Sequence, residues 1–515
     1  MKLSSAASNL ILTFTLLLLA TCAQSVAREL NPCNTAIFDI TKEDILNFFS
    51  VADDPATNPL LLERLPELII QWNVRAHKIC TSCEDMNALW EEQHACEPFS
   101  SSCTSKSQAS SVMPYHMSGL LLEPIDPYNN QPVVGEIATT LFPMEVSTNP
   151  FEAFLEINDL TTGSLGRALF PLLTASSGTY TIVPDLLGNG EDYKNTRSYR
   201  VKDVYQASTI PLYLKLQHDI EIKHNCTVLD KRVAIVGYGE GGYAAAAIAE
   251  AIDMLDDGYV HTFTAVGGAP VSTAKEQLKE IVAFDNGTYP SPTLIARVAS
   301  AYSSTNQDLE NTNLTNFASN KYLNATDELK DVRSWIENGL SDETKLSLLP
   351  SPKAKASDII NPDILSHLLE SYYLCSDDPF KTNTTSNFCA AAIQNDLTGF
   401  LMGVDYPVVL CHSPNDEVSY YSNVEIIPAS NEYTMMIEKI PSFVSQVINP
   451  NGTHEESRQQ YLVGYVLQYS EPGDIRTIKP PKDETLLRTQ SRPHLRHLLH
   501  LLRLHWWCRH LSYSL

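Results

Sequence analysis

A chain of 515 residues, 43% hydrophobic and 19% charged, is long and apolar enough to bury a large core. Its formal net charge of −25 argues against sequence-independent nucleic-acid binding, which needs clustered Lys and Arg to displace counterions from phosphates. An acidic balance of this size suits a soluble extracellular protein.

The chain opens on Met1-Lys2, an apolar run from Leu10 to Ala20, and Ser25-Val26-Ala27, with small residues three and one before a cleavage point. This pattern predicts a secretory signal peptide over 1–27. The apolar run is about half of the roughly 20 residues that a spanning helix needs, so no transmembrane helix is expected. Secretion is supported by the Asn-x-Thr sequons at Asn225, Asn286, Asn313, Asn324, Asn383 and Asn451, each a candidate glycosylation site.

Residues 28–110 read as a Cys-rich helical N-terminal extension, with Leu60, Leu61, Leu65, Leu68, Ile69 and Trp72 spaced for one buried helix face. Cys33, Cys80, Cys83, Cys96 and Cys103 cluster there. In an oxidising compartment their default fate is disulfides, and this outweighs a zinc reading of Cys80-Thr-Ser-Cys83 with His94 and Cys96. Cys375 and Cys389 form an isolated pair that would close a short loop, and they are the leading disulfide candidates. No metal or cofactor is called for.

From residue 111 short strands alternate with longer helical patterns, which predicts an α/β class with a mostly parallel sheet and helices on both faces. Strand candidates are 133–137, 179–183, 233–236 and 261–266, with a helix over about 200–222. The regular alternation lapses across 271–400, a polar, helix-prone stretch with four of the six sequons, expected to be a cap or lid insertion. The core resumes over 401–475, with strands at 406–411 and 433–438 and a closing amphipathic helix near 461–469. Residues 476–515 are an atypical basic tail. Leu486 to Leu515 holds no acidic residue, and the tail reads as disordered or as the product of a misread frame rather than as a membrane-surface helix.

The chemistry is concentrated at Val233-Ala-Ile-Val-Gly237-Tyr238-Gly239-Glu240-Gly241-Gly242-Tyr243, followed by the alanine-rich run Ala244 to Ala249. A buried strand, a glycine-lined corner and a small-residue helix together make a nucleophile elbow. A phosphate-binding turn would also join strand to helix, but the Lys-Ser/Thr pair of a P-loop is missing. The segment resembles the Gly-Tyr-Ser-x-Gly-Gly elbow of the α/β-hydrolase superfamily, in its secretory lipase, esterase and serine-peptidase-like branches, with Gly239 standing where the family has its serine. Pro184-Asp185-Leu-Leu-Gly188-Asn-Gly190 and Gly267-Gly268-Ala-Pro270 resemble two further loops of that family.

By the same resemblance, Cys411-His412-Ser413-Pro414-Asn415-Asp416-Glu417-Val418 supplies the triad acid as Asp416, and Gly452-Thr453-His454-Glu455 supplies the base as His454. The order nucleophile, acid, histidine is the one this fold uses. The backbone N–H of Glu240 is the expected oxyanion donor, with a second donor sought near Phe142. These matches imply an α/β-hydrolase-fold protein whose ligand is an acyl ester, a lipid or a peptide, and whose hydrolysis is lost or severely impaired for want of a nucleophile. Three alternatives follow from the same residues: a slow hydrolase in which Asp416 and His454 activate water, an active serine hydrolase if a one-base error wrote glycine for serine at 239, and a non-catalytic ligand-binding or surface protein. The sequon at Asn451 precedes His454 closely enough that a glycan there would stand at the rim of the pocket.

Overall fold

A computed structural model describes residues 35–45, 70–82, 116–133, 135–144, 165–186, 199–223, 227–255, 259–274, 390–404, 408–413, 415–420 and 422–425, together with single positions among 276–302, 361–366 and 453–458. They form one eight-stranded sheet: β1 (Thr35–Ile40), β2 (Asn73–Ser82), β3 (His116–Ile125), β4 (Gly135–Leu141), β5 (Tyr180–Pro184), β6 (Thr227–Tyr238), β7 (Val260–Gly267) and β8 (Val408–Cys411). The order across the sheet is β1-β2-β3-β5-β4-β6-β7-β8. The β1, β2, β3 and β5 neighbours pair antiparallel, while β5, β4, β6, β7 and β8 run parallel.

The parallel half carries the sequence pattern that predicted it. Val233, Ala234, Ile235 and Val236 on β6 are all buried, as expected for a central strand covered on both faces. Three helices of the described chain pack on the sheet: α1 (Leu165–Ser176) against β5 and β3, α2 (Lys202–Lys223) against β6 and β3, and α3 (Glu240–Met254) against β6, β7 and α2. The alanine run of α3 explains how closely it can lie. Ala244, Ala245, Ala246, Ala247 and Ala249 are completely buried, and alanine adds high helix propensity to a small side chain. Two shorter helices, α4 (Thr398–Gly403) and α5 (Ser422–Glu425), flank β8 in sequence.

The N-terminal reading needs correction. Residues 35–40 and 73–82 are not part of a helical extension but two strands of the sheet, and β2 runs against β3 over ten paired positions from Asn73↔Ile125 to Ser82↔His116. The local signal is a period of two: Val74 and Ala76 are buried, while Arg75 between them and His77 after them are partly exposed. That alternation is short and follows directly on the helically spaced leucines, and cross-strand pairing decides the conformation. Leu60 to Ile69 lie outside the described residues. Cys80 on β2 is disulfide-bonded, which removes it as a thiolate ligand for zinc.

Elsewhere the predicted elements shift by a few residues: 133–137 becomes β4 at Gly135–Leu141, and 200–222 becomes α2 at Lys202–Lys223. Residues 433–438, 461–469 and 476–515 lie outside the described residues, as does most of 271–400. The two ends of that last stretch lie side by side. The Leu397 N–H donates to the Val271 carbonyl at 3.1 Å, and the Ala274 N–H donates to the Asp396 carboxylate at 3.0 Å.

His261 on β7 has a consequence for stability. Burial pushes its imidazole down from 6.5 to about 4, so between those values the unfolded chain binds a proton that the folded chain does not. Stability is therefore present above pH 6.5 and is lost as pH falls towards 4, by up to about 3 kcal/mol. Burial lowers His412 in the same direction. The urea midpoint is expected to fall between pH 7 and pH 4.5, and to fall less in His261→Asn; an equal fall in both proteins would contradict this assignment.

Candidate active site

The corner between β6 and α3 is built by glycines for separable reasons. Gly239 has φ 60° and ψ −126°, a left-handed combination that L side chains adopt only under strain. Its N–H donates to the Gly267 carbonyl at the end of β7 at 2.9 Å, and its carbonyl accepts the Tyr243 N–H of α3 at 3.1 Å. Gly237 needs its bareness for another reason: a Cβ there would lie 2.0 Å from the Gly241 carbonyl oxygen, inside the turn itself. At Gly242 a Cβ would lie 2.7 Å from the Gly267 oxygen, which explains how α3 approaches β7. A buried strand, a sharp turn and a small-residue helix thus meet at position 239, which carries no side chain.

Asp416 lies on the loop after β8, with its side chain fully buried. Its Oδ1 accepts the backbone N–H groups of Val418 at 2.9 Å and Ser419 at 2.7 Å. Those two donors fix the carboxylate and turn Oδ2 towards His454, whose Nδ1 lies 2.7 Å away. With Nδ1 donating to Asp416, the neutral imidazole leaves Nε2 as an acceptor, the state a general base needs. A second imidazole shares this acid: His412 Nε2 is 3.5 Å from the same Oδ2 and bonds the Ser419 carbonyl. Burial pushes His412 down, against the pull of Asp416 and of the Ser419 hydrogen bond.

His454 meets the elbow through Tyr238, the residue immediately before Gly239. The two rings pack with centroids 4.9 Å apart, and the Tyr238 hydroxyl donates to the His454 carbonyl at 3.0 Å. The His454 N–H donates to Glu417 Oε2, also at 3.0 Å. Three segments far apart in sequence thus converge on one corner: the end of β6, the loop after β8 and the stretch around His454.

Glu240, expected to lend its backbone N–H, is the first residue of α3, and its buried carboxylate accepts the Tyr205 hydroxyl at 2.8 Å. Phe142 is not the second donor. Its N–H is committed to the Ile182 carbonyl at 2.8 Å, and Pro143 has no N–H to offer. Asp185, in the Pro-Asp loop after β5, accepts the Ser118 hydroxyl and donates its own N–H to the Ser118 carbonyl at 2.9 Å, which ties the loop to β3. Gly268 has φ 50°, and a Cβ there would strike the Tyr238 ring at 2.5 Å, so the small-residue loop after β7 makes room for the tyrosine that holds His454.

Tyr238, His412 and Glu417 had no role in the sequence reading, although each lies inside a quoted motif; adjacency to Gly239 and Asp416 was the available signal. Cys375, Cys389 and Asn225, Asn286, Asn313, Asn324, Asn383 and Asn451 lie outside the described residues. Among the described residues no cluster of His, Cys, Asp or Glu could hold a metal ion, and no helix is long and apolar enough to cross a membrane.

Solved structures share this architecture. A candidate hydrolase from Legionella pneumophila superposes with a TM-score of 0.57 at 14% identity, over 85% of this chain and 97% of its own. The rice cell wall degrading esterase LipA from Xanthomonas oryzae, in a ligand-bound form, superposes with a TM-score of 0.53 at 16% identity, over 78% of this chain and 87% of its own. The fold is α/β-hydrolase-like. No family model matches the chain, and no curated protein does.

Proposed function

We propose that this is a secreted, glycosylated protein of lipase or esterase type that keeps the acid and base of a Ser-His-Asp triad and has lost efficient hydrolysis with its nucleophile. The observation that carries the reading is the buried Asp416–His454 pair, 2.7 Å apart and packed on Tyr238, beside a positive-φ corner occupied by Gly239. In a complete triad the serine attacks the acyl carbon, the histidine takes its proton and the acid fixes the histidine's tautomer. Here the second and third parts stand ready and the first has no atom to attack with. The Glu240 N–H is the proposed half of an oxyanion hole at the start of α3. Esters are the probes of choice, since LipA, which shares the fold, is an esterase.

Retention of the pair favours one second reading, in which His454 draws a proton from water bound where the serine hydroxyl would lie, giving slow hydrolysis. Purified protein incubated with short acyl esters distinguishes the readings. The expected result is turnover no greater than the roughly thousandfold over water that triad enzymes retain without their serine. Turnover in the ordinary enzyme range of about 1–1,000 per second would overturn the loss of function.

A further inference from the structure

His454 is held at more points than its bond to Asp416. Its backbone is gripped from both sides: its N–H donates to Glu417 Oε2 at 3.0 Å, and its carbonyl accepts the Tyr238 hydroxyl at 3.0 Å. The two grips come from separate elements, the loop after β8 and the end of β6. Glu417 follows the acid directly, so one dipeptide holds the imidazole through Asp416 and the main chain through Glu417. Tyr238 ends β6, the strand that delivers residue 239, and is buried.

The physical need is clear from the chain path. An imidazole can rotate about two side-chain torsions, and its bond to Asp416 fixes only one ring nitrogen. The direction of the other nitrogen depends on where the main chain sits, and a misplacement of about 1 Å can cost roughly a hundredfold in rate. The bond to Glu417 joins a carboxylate to a backbone N–H, the charge-assisted kind that is shorter and stronger than a neutral bond. The Tyr238 phenol also couples the position of the base to the strand that sets the corner. The ring fits because Gly268 leaves space for it, any Cβ there falling 2.5 Å from the phenol carbon.

The geometry points to Glu417 and Tyr238 as positioning residues that clamp the backbone of His454 from opposite ends, so that Nε2 is aimed at position 239 by two bonds independent of Asp416. This inference rests on the reading of Asp416 and His454 as a base pair and adds what holds that pair in register. It predicts that the clamp works in the wild-type protein as well as in Gly239→Ser.

The test is proton NMR of the full-length wild-type protein, reading the far-downfield signal of the His454 Nδ1–H shared with Asp416 and assigned by its loss in His454→Ala. Glu417→Ala and Tyr238→Phe are each expected to shift or broaden this signal, while Glu417→Gln, which keeps a carbonyl acceptor, restores it. In the Gly239→Ser background the first two changes are expected to lower kcat about a hundredfold with KM little altered, and Glu417→Gln much less. A signal unmoved in folded Glu417→Ala and Tyr238→Phe would overturn the clamp and leave the pair intact. No such signal in the wild type would overturn both the pair and the clamp. A normal signal that responds to the clamp variants, with no hydrolysis in Gly239→Ser, would sustain the clamp and remove the proposed function. Should Glu417→Ala fail to fold, Tyr238→Phe, which removes one hydroxyl and keeps the ring, decides alone.

Discussion

Gly239→Ser is expected to raise hydrolysis of short acyl esters by at least about a thousandfold, towards the roughly millionfold that removing a triad serine costs. The expectation rests on placement. Residue 239 sits between a buried strand and the first turn of α3, and the Asp416–His454 pair packs on its neighbour Tyr238. A hydroxyl on that corner would meet an imidazole whose tautomer is already set. The new side chain must accept φ 60°, at a cost on the order of 1–3 kcal/mol, so the variant should fold with a modest loss of stability. A folded variant no faster than wild type would show that more than the nucleophile has been lost.

Asp416→Asn in the Gly239→Ser background is expected to remove most of that gain, lowering kcat by about ten-thousandfold with little change in KM. The reason lies in the two backbone donors on Oδ1. The N–H groups of Val418 and Ser419 both point at that atom and would hold the carbonyl oxygen of an asparagine there. The amide nitrogen would then face His454 Nδ1 as a donor, which forces the ring proton onto Nε2 and leaves no acceptor for the nucleophile's proton. Shape is preserved and the tautomer is reversed. Steady-state kinetics on both variants measure the difference, and a loss of less than tenfold would mean that Asp416 does not set the state of His454.

The corner was legible because its requirement is local. Gly237 and Gly242 are demanded by backbone approaches within a few residues or from the adjoining strand, and Gly239 suits its positive φ; such demands write themselves into a short string of letters. Asp416 and His454 were reached through the order of motifs along the chain rather than through any contact. The clamp was not legible. Tyr238 and His454 are 216 positions apart, and a tyrosine before a glycine carries no sign of the carbonyl it will bond. The same holds for β1 and β2: their identity as strands depends on pairing, β1 with β2 and β2 with β3, which a short run such as Val74 to His77 does not announce against a helical pattern upstream. The amide of Phe142 illustrates the same dependence, since its availability is decided by the neighbouring strand, here β5 through Ile182.

Covalent labelling with a fluorophosphonate, read by intact mass and peptide mapping, addresses the central claim most directly, because the reagent reports a nucleophile activated by a neighbouring base whatever the natural substrate is. Wild-type protein should stay unlabelled, Gly239→Ser should gain one adduct at position 239, and adding His454→Ala should abolish it. Labelling of the wild type at another residue, or a folded Gly239→Ser protein that the reagent leaves untouched, would contradict the account.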